Sequence, residues 1–287
     1  MSAPTAGDRG PAAGKWVALA LPALWAALLL ALPLVVMAVT STGSRPPHGG
    51  VVHDGSLDAW RWLGEREDLV ARTAWRSTRI AGLATLFAVL LATPTAWWIA
   101  RAPVRRRALL LLLVVVPSWT SFLLRTYAWR ILFRTEGPVN ELLGLVGLDP
   151  VAFLNTEGAV VVGLVYGYLP FAVLPIYVAV ERLDRDLLHA ARDLGAGPVR
   201  TFLSVAFPLT LAGTVAGATL VFVPALAAFV TPALLGGDDT YMIGQLTQDQ
   251  FMKARDWPLG SALGAALALA ALLALLPVLG ARRAARA

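Results

Sequence analysis

Six uncharged, mainly apolar runs dictate what this chain can become: Trp16–Ser44, Ile80–Ala100, Ala108–Leu124, Gly158–Val180, Thr201–Gly237 and Trp257–Ala281. A helix crossing a hydrocarbon layer about 30 Å thick needs about 20 such residues, because lipid offers backbone N–H and C=O groups no partner. The third run holds 17 residues before Arg125, and "RTYAWRILF" continues it amphipathically to Phe133, with Tyr127 and Trp129 suited to the interface. The fifth, at 37, is too long for one crossing. Its first residues are expected outside the lipid, with a Pro-broken tail, "TPALLGG", at the far surface. The expectation is an all-α integral membrane protein with spans at about 16–40, 80–100, 108–133, 158–180, 208–230 and 257–281. They form one transmembrane domain, 16–281, between short tails at 1–15 and 282–287.

Six spans put both termini on one side, and the cations say which. The tails with segments 101–107 and 181–200 hold 13 of the 24 Lys and Arg residues, at roughly twice the density of the opposite segments, which predicts a cytoplasmic location for both termini. The first run follows Arg9 and Lys15 as a signal sequence would, but it exceeds an h-region and no clean cleavage motif follows, so a retained helix is expected. A pI near 10.3 reflects these flanking cations rather than a nucleic-acid-binding face.

Composition excludes several chemistries. With no cysteine there is no disulfide and no thiolate site, and His48, His53 and His189 lack metal-ligand spacing, so no metal site and no catalytic residue is assigned. The fragment "GPAAGKW" is one residue short of a phosphate-binding loop, and Trp16 stands where a Ser or Thr would hold magnesium. The central parts of the spans carry no ionisable residue, so the carboxylates of an ion-driven carrier are missing and the driving energy comes from elsewhere. Arg72, Arg76, Arg79, Arg125 and Arg130 fall toward span ends, where snorkelling to headgroups accounts for them. The aromatic and proline clusters "PSWTSFLLRTYAW", "YGYLPFAVLP" and "VFVPALAAFVTP" supply the candidates for a solute pathway: Trp119, Tyr127, Tyr166, Tyr168, Pro170 and Phe229. Proline frees backbone groups where a helix lines a cavity, yet both residue types are also common in ordinary membrane helices.

Between two apolar runs lies "ERLDRDLLHAARDLGAGPVRTFLSVAFP". Asp184 or Asp186 can cap a short helix, Leu187, Leu188, Ala191 and Leu194 give it an apolar stripe, and Gly195 or Gly197 ends it. Pro198 then suits the first turn of a second helix that runs to Pro208. A solvated loop would explain the charges. The small residues beside an apolar stripe point instead to a surface another protein approaches closely.

The spacing of Ala190-Ala191, Gly195 and Val205-Ala206-Phe207-Pro208 resembles the E-A-A-x3-G-x9-I-x-L-P loop of ABC importer permeases. "GPVNELLGLVGL", "AARDLGA", "LLGG" and "RDWPLGSA" extend the resemblance from span two to span six, and within that family the chain is most similar to the spermidine/putrescine permease subunits. His189 departs from the usual Glu and Phe207 from the usual Leu. The resemblance implies a type I importer permease fold and a non-catalytic inner-membrane subunit of a bacterium. It implies a second permease, ATPase subunits that bind ATP and magnesium in its place, and an extracytoplasmic solute-binding protein as partners. It also implies that His189, Ala190, Ala191, Arg192, Asp193, Gly195, Ala196, Pro198, Phe202 and Pro208 couple the pore to the ATPase. The cargo is expected to be a polyamine or a related small solute. An opine, aminophosphonate or thiamine permease is the alternative, and a secondary carrier, a scaffold or a membrane enzyme are less favoured.

Overall fold

In the computed structural model, residues 12–275 are described, so the C-terminal tail and the last part of the sixth expected span lie outside the described residues, as does the expected N-terminal tail up to residue 11, residues 12–15 belonging to the first helix. The helices in order are α1 (Ala12–Thr40), α2 (Asp58–Glu65), α3 (Glu67–Arg101), α4 (Val104–Val115), α5 (Phe122–Leu132), α6 (Pro138–Leu145), α7 (Glu157–Glu181), α8 (Arg185–Asp193), α9 (Pro198–Thr201), α10 (Phe207–Leu226), α11 (Val230–Leu235), α12 (Ile243–Asp249) and α13 (Trp257–Ala274). Among the described residues no strand forms, only isolated bridges from Ser44 to Val52 and from Gly50 to Asp256. Five helices are long and apolar enough to cross a membrane, and α4 with α5 makes a sixth crossing if the bent pair is one span.

Three expected boundaries require correction. The span placed at 108–133 is two helices meeting at 87°. Pro117 starts a tight turn over Val116–Trp119, and Thr120 and Ser121 then turn extended (ψ 156° and 130°), so the helical hydrogen-bond ladder is interrupted there. The helix that holds the second span begins at Glu67 rather than near 80: at 1.5 Å per residue the 35-residue α3 is about 52 Å long, more than a crossing of about 30 Å needs. The fifth is a continuous helical rod from Pro198 to Leu226 rather than a separate short helix followed by a span at 208–230. A π-turn at Phe202–Ala206 joins α9 to α10, with the Phe207 N–H donating to the Phe202 carbonyl, and Pro208 follows within the first turn of α10.

The core is the contact of α3, α7 and α10. Ala81, Ala84, Ala88, Ala92 and Ala96 form a fully buried stripe on α3. Against it lie Val160, Leu164, Val173 and Ile176 of α7 and Val221 and Ala225 of α10. In lipid no hydrophobic drive separates helix from acyl chain, so association depends on close backbone approach through small residues. Two glycines supply it: a Cβ on Gly217 would sit 2.9 Å from the Ala172 carbonyl oxygen, and one on Gly213 would sit 2.7 Å from that of Pro175. Thr73, Ser77, Thr85, Thr93, Thr210 and Thr219 donate their hydroxyls to carbonyls four residues back, which satisfies each polar group inside its own helix. By contrast α1, from Ala20 onward, exposes its leucines and valines and packs beside α13.

Side chains tie the ends of this core. At the end opposite α8, Thr156 caps α7 by accepting from the Ala159 N–H (3.2 Å), and Arg79 pairs with Glu157, Nε to Oε1 at 3.1 Å. Buried Ser77 Oγ accepts from the Ile243 N–H at 2.7 Å and fixes the start of α12. Asp256 accepts from the Leu259 N–H (3.0 Å) to cap α13. At the α8 end, Arg107 of α4 binds Glu181 of α7 at 3.1 Å.

A Gly217→Leu substitution is expected to cost about 1–3 kcal/mol through overpacking between α7 and α10. The check is the thermal midpoint of the purified chain in nanodiscs beside that of Gly82→Leu, which adds the same bulk on α3 where nothing lies within 4 Å. Equal midpoints for the two variants would show that the α7–α10 contact is not tight.

Candidate coupling surface and transport pathway

The segment after α7 folds by rules visible in its sequence. Asp184 Oδ1 accepts from the Asp186 N–H at 3.0 Å, which caps α8. The helix ends where Gly195 adopts φ +83°, a conformation that favours glycine. There the Ala196 N–H donates to the Ala191 carbonyl (3.0 Å) and the Gly195 N–H to that of Arg192 (2.8 Å), the paired bonds of a Schellman cap. Of the two glycines expected to end the helix, Gly195 performs that role. Gly197 precedes Pro198, which opens the rod leading into α10. Arg185 Nη2 donates to the Ala100 carbonyl at 3.2 Å, so α8 is pinned to the end of α3.

Among its described neighbours α8 buries no residue. Leu187 is 47% exposed, Leu194 89%, Val199 70% and Leu203 58%, large apolar side chains in a stretch that is otherwise charged. Ala190, Asp193, Gly195 and Pro208 are exposed as well, whereas Ala191, Ala196 and Phe202 are partly covered. His189 and Arg192 are also exposed but line a cavity of about 640 Å³ with Trp97, Arg101, Arg107 and Glu181. Arg192, Pro198 and Phe202 line a second, adjoining groove of about 310 Å³. Phe202 meets Trp97 edge to face with ring centroids 6.0 Å apart. The ten positions assigned to coupling therefore divide between an exposed surface and two recesses behind it.

The six pathway candidates also divide. Tyr166 and Tyr168 of α7 belong to an aromatic cluster with α5: Trp129 meets Tyr166 at 5.5 Å and Phe122 stacks on Tyr168 at 5.9 Å. The close fit depends on Gly167, where a Cβ would lie 2.8 Å from the Phe122 ring. Pro170 is buried within α7, while Trp119, Tyr127 and Phe229 are exposed and take no part in that cluster's ring contacts. Sequence reasoning missed Phe122, Trp129 and Arg125, which its own aromatic stretch contained. The missed signal is that Phe122 and Trp129 are seven residues apart, two helical turns on one face. Arg125 is half-buried with its guanidinium 5.6 Å from the Phe122 ring, and its Nε has no partner among the described residues. It lies against the aromatic cluster rather than snorkelling, which corrects the reading of an arginine reaching for headgroups.

Relatives of this chain give the arrangement a context. The model of a family described as binding-protein-dependent transport system inner membrane component matches residues 69–285. The spermidine/putrescine transport system permease protein PotB of Salmonella typhimurium is 40% identical over 240 residues, covering 83% of each chain. The PotB proteins of Escherichia coli (39% identical; 83% of this chain, 86% of that one) and Haemophilus influenzae (41%; 72% and 73%) are similar too. Among solved structures, a bacterial alginate ABC transporter in complex with its alginate-bound periplasmic protein aligns with a TM-score of 0.69, 18% identity and coverage of 94% and 95%. The MetNI methionine ABC transporter aligns at 0.55, with 18% identity and coverage of 79% and 96%. These last two share the fold, that of a type I ABC importer permease. The chain belongs to the family of binding-protein-dependent transport system inner membrane components.

Proposed function

We propose that this chain is one of two permease subunits of an ATP-driven importer for polyamines, with α8 seated in a groove of an ATPase subunit on the cytoplasmic side. The observation that carries the reading is the set of exposed apolar side chains Leu187 of α8, Leu194 at its C-cap, Val199 of α9 and Leu203 of the following π-turn, in a segment held by charged and capped neighbours. Such a patch at the charged end of a membrane protein is stabilised by a protein partner. In this reading ATP and magnesium belong to that partner, and this chain binds neither. Both termini are cytoplasmic, and a binding protein meets the opposite end of the molecule in the periplasm.

The geometry offers a lever. A push on α8 reaches α3 through the Arg185 bond to Ala100, α7 through Arg182 and Leu183, and α10 through the rod that begins at Pro198. Because α3, α7 and α10 interlock through alanines and glycines, they respond as packed bodies rather than deforming individually. Closure of the ATPase pair would thus turn the core helices and open the pathway toward the loaded binding protein.

Polyamine cargo is supported by the likeness to PotB over most of the chain. The aromatic faces of Tyr166, Tyr168 and Trp129 suit a cation, which they attract through their π-systems. One observation favours a second reading: Arg125 lies beside those rings, and like charge disfavours a polycation. An anionic solute such as an aminophosphonate is the alternative that Arg125 supports.

Two outcomes are expected. Gly195→Asp keeps a turn that a short polar residue tolerates but adds a charge to the docking surface, so uptake and ATPase co-purification are lost while membrane insertion persists. Transport at the wild-type rate in that variant would remove α8 from the coupling role. For cargo, the reconstituted complex with its binding protein is scanned for stimulated ATP hydrolysis across spermidine, putrescine and an aminophosphonate. Polyamine stimulation is expected, and stimulation by the phosphonate alone would transfer the assignment to the second reading.

A further inference from the structure

α8 has two working faces. Leu187, Ala190 and Leu194 are exposed and line neither recess, whereas Arg185, Leu188, His189 and Arg192, of which only Leu188 is partly covered, recur at helical spacing and line the space between α8 and the span ends. That space, about 640 Å³, gathers four guanidinium groups, from Arg101, Arg107, Arg185 and Arg192, around one carboxylate, Glu181. Glu181 is engaged by Arg107 at 3.1 Å and by the Tyr177 hydroxyl at 2.6 Å. Arg185 uses one donor on the Ala100 carbonyl. Arg101 rests over the Trp97 ring, 5.3 Å from its centroid, and among the described residues neither it nor Arg192 has a carboxylate within 4.0 Å.

The depth of this cavity is set by the sequence. Arg101 closes the uncharged run 80–100 and Glu181 closes 158–180, so the arginines lie where two apolar spans meet the headgroup layer. A groove of about 310 Å³ adjoins it, shares Trp97, Arg101, Leu188 and Arg192 with it, and continues along Pro94, Phe202 and Ala206 toward the apolar part of the spans. Trp97 stands at the join, and its Nε1–H is a buried donor without an acceptor among the described residues.

We propose that the cavity and groove together hold one anionic phospholipid, its phosphate among Arg101, Arg107, Arg185 and Arg192 and an acyl chain along Pro94, Phe202 and Ala206. An excess of cations opening into an apolar channel at headgroup depth fits an amphiphile. A free phosphate would satisfy the arginines and leave the groove unused. The ATPase subunit meets the other face of α8, through Leu187 and Leu194. On this assignment His189 and Arg192 act on the lipid side, so the histidine keeps the cavity free of the extra negative charge that a glutamate would bring there. The lipid site does not depend on the nature of the cargo.

The test is native mass spectrometry of the full-length chain released from detergent after incubation with phosphatidylglycerol, phosphatidylcholine, glycerophosphoglycerol or inorganic phosphate. One retained phosphatidylglycerol per chain is expected, with phosphatidylcholine retained about tenfold less. Loss of a charged hydrogen-bond donor in Arg101→Gln lowers phosphatidylglycerol retention about tenfold, and Arg101→Lys restores most of it. Each variant is first shown to elute as the wild type does. Equal retention of both lipids, or unchanged retention in Arg101→Gln, overturns the proposal. Binding of the soluble phosphates as strong as that of the lipid assigns the site to a free anion and overturns it likewise. In the assembled complex, loss of the ATPase from Arg101→Gln with lipid retention intact would show that the arginines serve the ATPase instead, and the lipid site falls. Gly195→Asp, which affects only the exposed face, is expected to retain the lipid.

Discussion

Everything in this molecule depends on how closely α7 and α10 approach each other. A membrane protein gains little from burying leucine, since acyl chains solvate it as well as neighbouring helices do. Dispersion contact and backbone proximity remain, and both need small residues. Gly213 and Gly217 bring α10 onto α7 around Ala172 and Pro175, and the alanine stripe of α3 closes the third side. With this unit formed, the remaining elements have something rigid to be placed on. α5 lays its aromatic residues on α7, α12 is fixed by Ser77, and α8 hangs from the ends of α3 and α7.

The spans were legible because lipid enforces a stringent rule: uncharged, about 20 residues, helical. What the rule leaves open is where a helix stops once it has left the lipid. α3 continues from the expected start near 80 back to Glu67 because the arginine and threonine residues there are competent helix formers or tolerated by helices in water. The bend in the third span was illegible for a related reason. Pro117 is one of 19 prolines, and prolines 94, 170, 175 and 224 sit inside helices that carry on past them. Only the extended conformations of Thr120 and Ser121 convert this one into a break.

The segment 184–208 was read closely from sequence because its signals are local: an Asp before a helix, a Gly after it, a Pro at the next start. The apolar stripe expected over Leu187, Leu188, Ala191 and Leu194 divides in the structure, with Leu187 and Leu194 exposed, Ala191 partly covered and Leu188 lining the cavity behind. The aromatic contacts were less legible, since which ring faces which depends on the 87° bend that swings α5 against α7. That is why Tyr166 and Tyr168 found partners while Trp119 and Tyr127 did not, and why Arg125 came to lie among rings. The alanine stripe at 81, 84, 88, 92 and 96 was present in plain spacing, and a search for small residues at helical intervals would have found the core directly.

The π-turn at Phe202–Ala206 has an angular meaning. It accommodates one residue more than an α-helix would over the same rise, and each residue of an α-helix turns the chain by about 100°. The heading at which Pro198 and the turn before it leave the bilayer is therefore set by this single surplus residue, independently of how α10 is seated against α7. Gaining or losing one residue there would re-aim the exposed helix at the cost of the Phe202–Trp97 contact and the Arg185–Ala100 bond, while Gly213 and Gly217 stay seated against α7.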